Sequence, residues 1–353
     1  MQVDEQRIAL IVEEVLRQLK GEPVSTNAEP GQDGIFPCVD AAIKAAAAAQ
    51  RELVALPLSV RKKMIEAIRE AGVANAEYFA RMTVDETGLG RYEHKVQKNI
   101  NAARLSPGVE DLETTTQAGE HGVTITKSIP YGLIVSILPT THPTPFVINH
   151  AIIMLAGGNT VFFCPHPRAQ NCTREAIRVL NRAIVAAGGP RNTLVAVNEA
   201  TLDAVNAACQ HPLTAMITAA GGPGVVKAAL TSGKKAVAAG AANPPVVVDE
   251  TADIPKAAQD ILKGSWFDNN VLCIAEKTVF AVRSIADQLI AEMQRHGAYL
   301  LKGQEVEAVT RLVVKDGHVV GDWVGKDGAV ILKAAGISPP PGTEGAIMVV
   351  GFD

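Results

Sequence analysis

The segment Asp268-Asn269-Asn270-Val271-Leu272-Cys273-Ile274-Ala275-Glu276-Lys277 sets a thiol in a loop, after a predicted helix and before an apolar run. Asn269 and Asn270 are turn formers that tolerate backbone angles most residues avoid. A loop of this kind can present Cys273 at the edge of a cleft, and a presented thiol is the raw material of nucleophilic chemistry. The alternative is that Cys273 packs as a small hydrophobe, the ordinary fate of a free cysteine.

Two other stretches have chemical potential. Ala220-Gly221-Gly222-Pro223-Gly224-Val225 follows an apolar strand and opens a helix. Glycines there let a phosphate approach the backbone, and the helix start supplies N–H donors and positive potential. The spacing is not GxGxxG, so a plain tight turn is the competing reading. Pro139-Thr140-Thr141-His142-Pro143 is a loop fixed by two prolines, whose hydroxyls and imidazole either face a substrate or cap the next helix. The eight histidines form no HxxxH or Cys/His cluster, so no metal site is expected. Cys38, Cys164, Cys172 and Cys209 are read as packing residues, and five irregularly spaced cysteines argue against a disulfide framework.

These segments need a framework of 353 residues, 47% hydrophobic and 20% charged: enough for two globular domains. A net charge of -4 without one-sign runs argues against nucleic acid, and no apolar run is long enough to span a membrane. Residues 1–20 read as one amphipathic helix with Ile8, Ile11, Val12, Val15, Leu16 and Leu19 on one stripe. Residues 21–35 read as a flexible linker, so the stripe either folds back or docks on another protein. Residues 39–104 are helical in pattern, with Ser59 as a cap for the helix through Met64, Ile65 and Ile68, and hold no obvious chemistry. Val123 to Thr126 alternates as an exposed strand or arm within 120–128.

From Gly132 to Ala239 short apolar strands alternate with helices, the pattern of a doubly wound parallel sheet covered on both faces. Ligands bind beyond the carboxyl ends of such strands. That singles out Pro139 to Pro145, Pro165 to Pro167 and Ala219 to Gly224. Residues 36–242 form this first α/β domain and residues 243–353 a second one, whose last strand is expected at Ala346 to Val350. Cys273 falls near the start of the second domain, where the two face each other.

In order, the chain carries YGLIVSILPTTHPTP, LAGGNTVFFCPHP, ITAAGGPGVV, AAGAANPPVVVDETAD and WFDNNVLCIAEK. From about Phe36 onward this resembles the aldehyde dehydrogenase superfamily, and within it the CoA-acylating acetaldehyde or propionaldehyde dehydrogenases of bacterial microcompartments. The resemblance implies that Cys273 is the nucleophile, with Thr141 or His142 at the position of the family's oxyanion-binding asparagine. It implies that Thr140, Pro165, His166, Gly221, Gly222, Gly224 and Val225 line an NAD site, with NAD preferred to NADP for want of a basic 2′-phosphate pocket. Hydrolytic members carry a glutamate base where this chain has Ala239, which points to coenzyme A as the acyl acceptor. Residues 1–20 resemble the targeting peptides of microcompartment cargo, which implies a shell protein as partner and a cytoplasmic location inside such a compartment.

The resemblance also implies a homo-oligomer and a further C-terminal stretch beyond Asp353, completing the catalytic domain and pairing with the arm of another subunit. Without that stretch, weak activity and poor solubility are expected. The competing function is a non-catalytic or partly active relative that binds a shell; an acyl-phosphate reductase is a weaker third.

Overall fold

The alternation of strand and helix builds one six-stranded sheet in the computed structural model, which describes residues 32–350. The helix expected over residues 1–20 and the linker up to residue 31 lie outside the described residues. Ile35–Phe36 (β1) precedes an antiparallel hairpin of Thr115–Gly119 (β2) and Gly122–Thr126 (β3). Leu133–Ile137 (β4), Thr160–Cys164 (β5), Leu194–Val197 (β6), Thr214–Ala220 (β7) and Lys235–Ala239 (β8) complete the sheet with β1. The order is β1-β6-β5-β4-β7-β8, and every pair is parallel.

Strand alternation divides the core in two. Val161, Phe163, Leu194 and Ala196 face a layer of Leu58–Ala74 (α2), Ala76–Thr87 (α3), Tyr92–Leu105 (α4), Pro143–Ala156 (α5) and Gln170–Ala186 (α6). Phe162, Cys164, Val195 and Val197 face Val39–Ala55 (α1), Leu202–Gln210 (α7) and Pro223–Leu230 (α8). Residues such as Phe79, Phe162 and Phe163 are fully buried, and each contributes roughly 1.5–3 kcal/mol by leaving water.

The chain then forms smaller layers. Pro245–Val248 (β9) pairs in parallel with Thr278–Ala281 (β10), and Ile254–Trp266 (α9) and Arg283–Arg295 (α10) pack over them through Ile261, Leu262, Ile285 and Leu289. Ala298–Leu300 (β11), Gln304–Val313 (α11), the antiparallel pair Val314–Lys315 (β12) and His318–Val319 (β13), and Gly328–Ala334 (α12) follow. Gly345–Ile347 (β14) returns to pair with β11.

Several expectations shift. Ile35, assigned to the linker, is buried in β1 opposite Ala196, because the sheet has an edge for it beyond β6. Ser59 is no cap: α2 already begins at Leu58 behind Pro57, whose ring fixes a suitable φ. Cys38 does not pack; it is exposed at the start of α1. The last strand stops at Ile347 rather than Val350, since β11 offers only three partners. Among the described residues no helix is long and apolar enough to cross a membrane.

Candidate functional site

Strands β4 to β6 extend the sheet one way from β4, and β7 and β8 extend it the other. This reversal leaves a crevice between the carboxyl ends of β4 and β7, where parallel sheets bind ligands. The loop Pro139–His142 leaves β4, and Gly221 and Gly222 leave β7. Pro165 and His166 leave β5, on the other side of β4.

Two observations fit a dinucleotide here. Thr140 Oγ1 is buried without a hydrogen-bond partner among the described residues, a costly arrangement that a ligand relieves. A Cβ at Gly222 or Gly224 would meet nothing within 4 Å, and at Gly221 it would meet only Val225 at ordinary contact distance. The glycines thus keep space open at the start of α8, whose N-cap is Gly222. His166 Nδ1 accepts from the Arg168 N–H at 3.1 Å, so this ring serves first as a local cap.

His142 is the N-cap residue of α5, but its side chain makes no capping bond. Its ring meets Phe146 edge-on at 6.1 Å. Burial, then the Lys98 and Lys95 ammoniums, hold its imidazole well below the usual range, so it is neutral at physiological pH.

Three consecutive left-handed residues, Asp268, Asn269 and Asn270 (φ 54, 53 and 59), shape the approach to Cys273. Asn and Asp bear this conformation better than other residues with a Cβ. Side chains hold the turn: Asn269 Nδ2 donates to Gly325 O at 2.9 Å, and Asn270 Nδ2 to Ser265 O at 2.6 Å and Glu276 O at 3.2 Å. Cys273 is exposed. Lys277 Nζ donates to Leu272 O at 2.9 Å and to Ala275 O at 3.0 Å, clamping the carbonyls around the thiol. In a planar trans peptide the N–H points opposite the C=O, so Lys277 also aims the Cys273 N–H away from itself. That N–H makes no hydrogen bond among the described residues.

Cys38 is exposed like Cys273, and burial sets the other three cysteines apart. It pushes the Cys172 thiol up to about 12, Cys164 well above its usual value, and Cys209 upward. These three are protonated and inert at neutral pH. Ala239 ends β8, and its carbonyl accepts from the Gly221 N–H at 3.2 Å. No carboxylate stands at that position.

The sequence reading assigned no chemistry to residues 39–104, and here it missed a cluster. Asp268 is fully buried, and its Oδ2 accepts from Lys95 Nζ at 2.7 Å and Lys98 Nζ at 2.5 Å. Both ammoniums also donate to Thr141 O, at 3.3 and 3.2 Å. Arg91 N donates to Asp268 Oδ1 at 2.9 Å, and the Asp268 N–H donates to His94 Nδ1 at 2.8 Å. Burial first, then Lys95 beside it, against the attraction of Asp268, brings Lys98 down to about 7. One signal was available in α4: Lys95, Lys98 and Asn99 occupy its buried face, where a core helix ordinarily has an apolar stripe. Among the described residues no group of His, Cys, Asp and Glu can hold a metal ion.

A model of the aldehyde dehydrogenase family matches residues 22–316. The chain is 42% identical over 359 residues to an acetaldehyde dehydrogenase (acetylating) of Bilophila wadsworthia, an alignment spanning 96% of this chain and 74% of that one. The propionaldehyde dehydrogenase from the Clostridium phytofermentans fucose utilisation bacterial microcompartment superposes with a TM-score of 0.86 at 43% identity, over 89% of this chain and 73% of that one. The Rhodopseudomonas palustris propionaldehyde dehydrogenase with bound propionyl-CoA gives 0.87 at 41% identity, over 94% and 74%.

Proposed function

The chain belongs to the aldehyde dehydrogenase family, and we propose that it oxidises acetaldehyde or propionaldehyde to the acyl-CoA through a thioester on Cys273. The observation that carries this reading is the Cys273 loop: an exposed thiol whose own N–H is aimed and unused, with no carboxylate at Ala239.

Cys273 Sγ bonds to the aldehyde carbon, and the carbonyl oxygen takes the negative charge. The Cys273 N–H supplies one donor to that oxygen, and Thr141 or His142 supplies the second. Thr140, Pro165, His166 and the turn Gly221–Val225 would hold NAD, which would accept the hydride lost from the aldehyde carbon. As that C–H bond breaks, the oxyanion electrons restore the C=O and Cys273 carries a thioester. The CoA thiol attacks that carbon, the bond to Sγ breaks, and the acyl group leaves on CoA. Ala239 cannot activate water, so hydrolysis does not compete, whereas a thiol is partly ionised near neutral pH.

The same reading places the protein with a microcompartment shell, through residues 1–20, inside the cytoplasm. It rests on the amphipathic stripe and on the microcompartment source of a relative at 43% identity.

The test is NADH and acyl-CoA formation from acetaldehyde and from propionaldehyde, with and without CoA. Product requires CoA, and Cys273→Ser lowers its formation by several orders of magnitude because the hydroxyl is a poor nucleophile here. Free acid made without CoA would overturn the acceptor, and an active serine variant would overturn Cys273.

A further inference from the structure

Asp268 draws its polar partners from one helix face and the turn before it. The side chains of His94, Lys95 and Lys98 lie on one face at the start of α4 and reach the loop before Cys273, and Arg91, just before the helix, reaches it with its backbone N–H. Two ammoniums converge on a single carboxylate oxygen in a place closed to water: Lys95 is 1% exposed, Lys98 6% and Asp268 0%. Stability alone does not call for this. A buried one-to-one pair barely recovers its desolvation cost, and a second buried ammonium adds to that cost.

What the second lysine adds is geometric. Both ammoniums bridge Asp268 Oδ2 to Thr141 O, so one cluster touches both loops of the proposed reaction. The Thr141 carbonyl is fixed, and a planar peptide fixes the chain into His142 with it. Asp268 is the first of the three left-handed residues that lead to Cys273. Gly90 secures the other side: a Cβ there would fall inside Asp268 Oδ1, and its φ is +74.

We infer that Lys95, Lys98 and Asp268 form a positioning cluster that holds the loop Thr140–His142 in one fixed relation to the loop carrying Cys273. The inference rests on the reading of Cys273 as nucleophile and deepens it. None of the three touches the reacting carbon; they act by keeping the oxyanion donors and the thiol in register, where an error of about 1 Å costs on the order of a hundredfold in rate. The charged and titratable groups facing Lys98 are Lys95 on its own helix, Asp268 across the domain boundary, and His142 beyond the Thr141 carbonyl; His94 and Arg91 stand on the far side of Asp268.

Lys98→Met is the decisive variant, because it leaves Lys95 and Asp268 as a balanced pair and the fold intact. Two readouts are taken on the full chain. By hydrogen–deuterium exchange, the amides of Thr140 to His142 and of Asn269 to Cys273 exchange at least ~10-fold faster together in the variant. By steady-state kinetics, kcat for acyl-CoA formation falls at least ~10-fold, KM for NAD stays within about twofold, and any inflection of kcat near pH 7 disappears. Unchanged exchange in either loop, or wild-type kcat with an unchanged pH profile, overturns the cluster. Asp268→Asn repeats the test with both lysines kept; if it does not fold, Lys98→Met decides alone. A wild-type enzyme that makes no acyl-CoA refutes the proposed reaction, and the exchange measurement, which needs no turnover, then decides the cluster by itself.

Discussion

Burial sets three of the five cysteines apart from Cys273. Burial leaves Cys164, Cys172 and Cys209 protonated, while Cys273 stands exposed on a loop whose carbonyls are held by Lys277. Lys277→Met frees the Leu272 carbonyl and the peptide that carries the Cys273 N–H. Its expected signature is a kcat lower by at least ~10-fold, in line with loss of an oriented oxyanion donor, with a small change in KM for CoA. A raised KM for CoA with kcat unchanged would assign Lys277 to CoA binding instead. At Ala239 the expected change is a gain: Ala239→Glu supplies the missing base, and free acid then forms from aldehyde and NAD without CoA. An intact variant that releases no acid would show that Ala239 does not face the thioester. Lys98 gives a pH signature in stability. Its folded value of about 7 lies below its usual 10.5, so between these values the unfolded chain binds a proton that the folded chain lacks. Stability contributed by neutral Lys98 is present above about 10.5 and is lost as pH falls toward about 7. Thermal melts at about pH 9.5 and 7 should therefore fall further in the wild type than in Lys98→Met, and parallel curves would place that ammonium in solvent.

Elements show which parts of the chain spoke locally. From 133 to 239 strands and helices alternate as expected, because each short apolar run is closed off by Gly, Pro or Asn. After Arg295 this fails. Only the last strand is expected there, at Ala346 to Val350; β11 has three residues and exists only through pairing with β14, which local pattern does not encode. The functional site divides the same way. Asn269 and Asn270 announced a special turn at Cys273, and the glycines announced open backbone at Gly222 and Gly224. The Lys98–Asp268 contact joins residues 170 apart in sequence, and a lone buried lysine reads as an ordinary surface residue until its partner is seen. The turn between α3 and α4 supports this contact. Gly90 N donates to Gly325 O at 3.1 Å, and Arg91 Nε to Asp327 Oδ1 at 2.8 Å, so the turn touches the Asp268 loop and residues 325–327 at once. Gly90→Ala puts a methyl into Asp268 Oδ1 at a positive φ. A cost of about 1–3 kcal/mol or more is expected, together with reduced turnover. A melt and an activity equal to wild type would show that the turn can move without disturbing the site.

Over the whole molecule, the β2–β3 hairpin is a feature that nothing among the described residues covers. All ten of its strand residues are exposed. Val123 and Ile125, at 63% and 67% exposure, lie on one face, two residues apart. A two-stranded ribbon is marginal alone, and both of its edges offer unpaired backbone groups. Exposed Ile129 and Tyr131 continue the apolar surface toward β4. The resemblance set out from the sequence implies that this arm pairs with a C-terminal stretch of another subunit, and we propose the hairpin as a subunit contact. Covering Val123 and Ile125 contributes roughly 1.5–3 kcal/mol each. The double substitution Val123→Lys, Ile125→Lys should then weaken self-association by about a hundredfold or more. Light scattering at matched concentrations should report a smaller particle, while the melting temperature extrapolated to low concentration stays put, since neither side chain touches the core. A particle of unchanged mass would remove the arm from the subunit contact. A lower melting temperature of the separated subunit would mean that the hairpin stabilises its own chain instead.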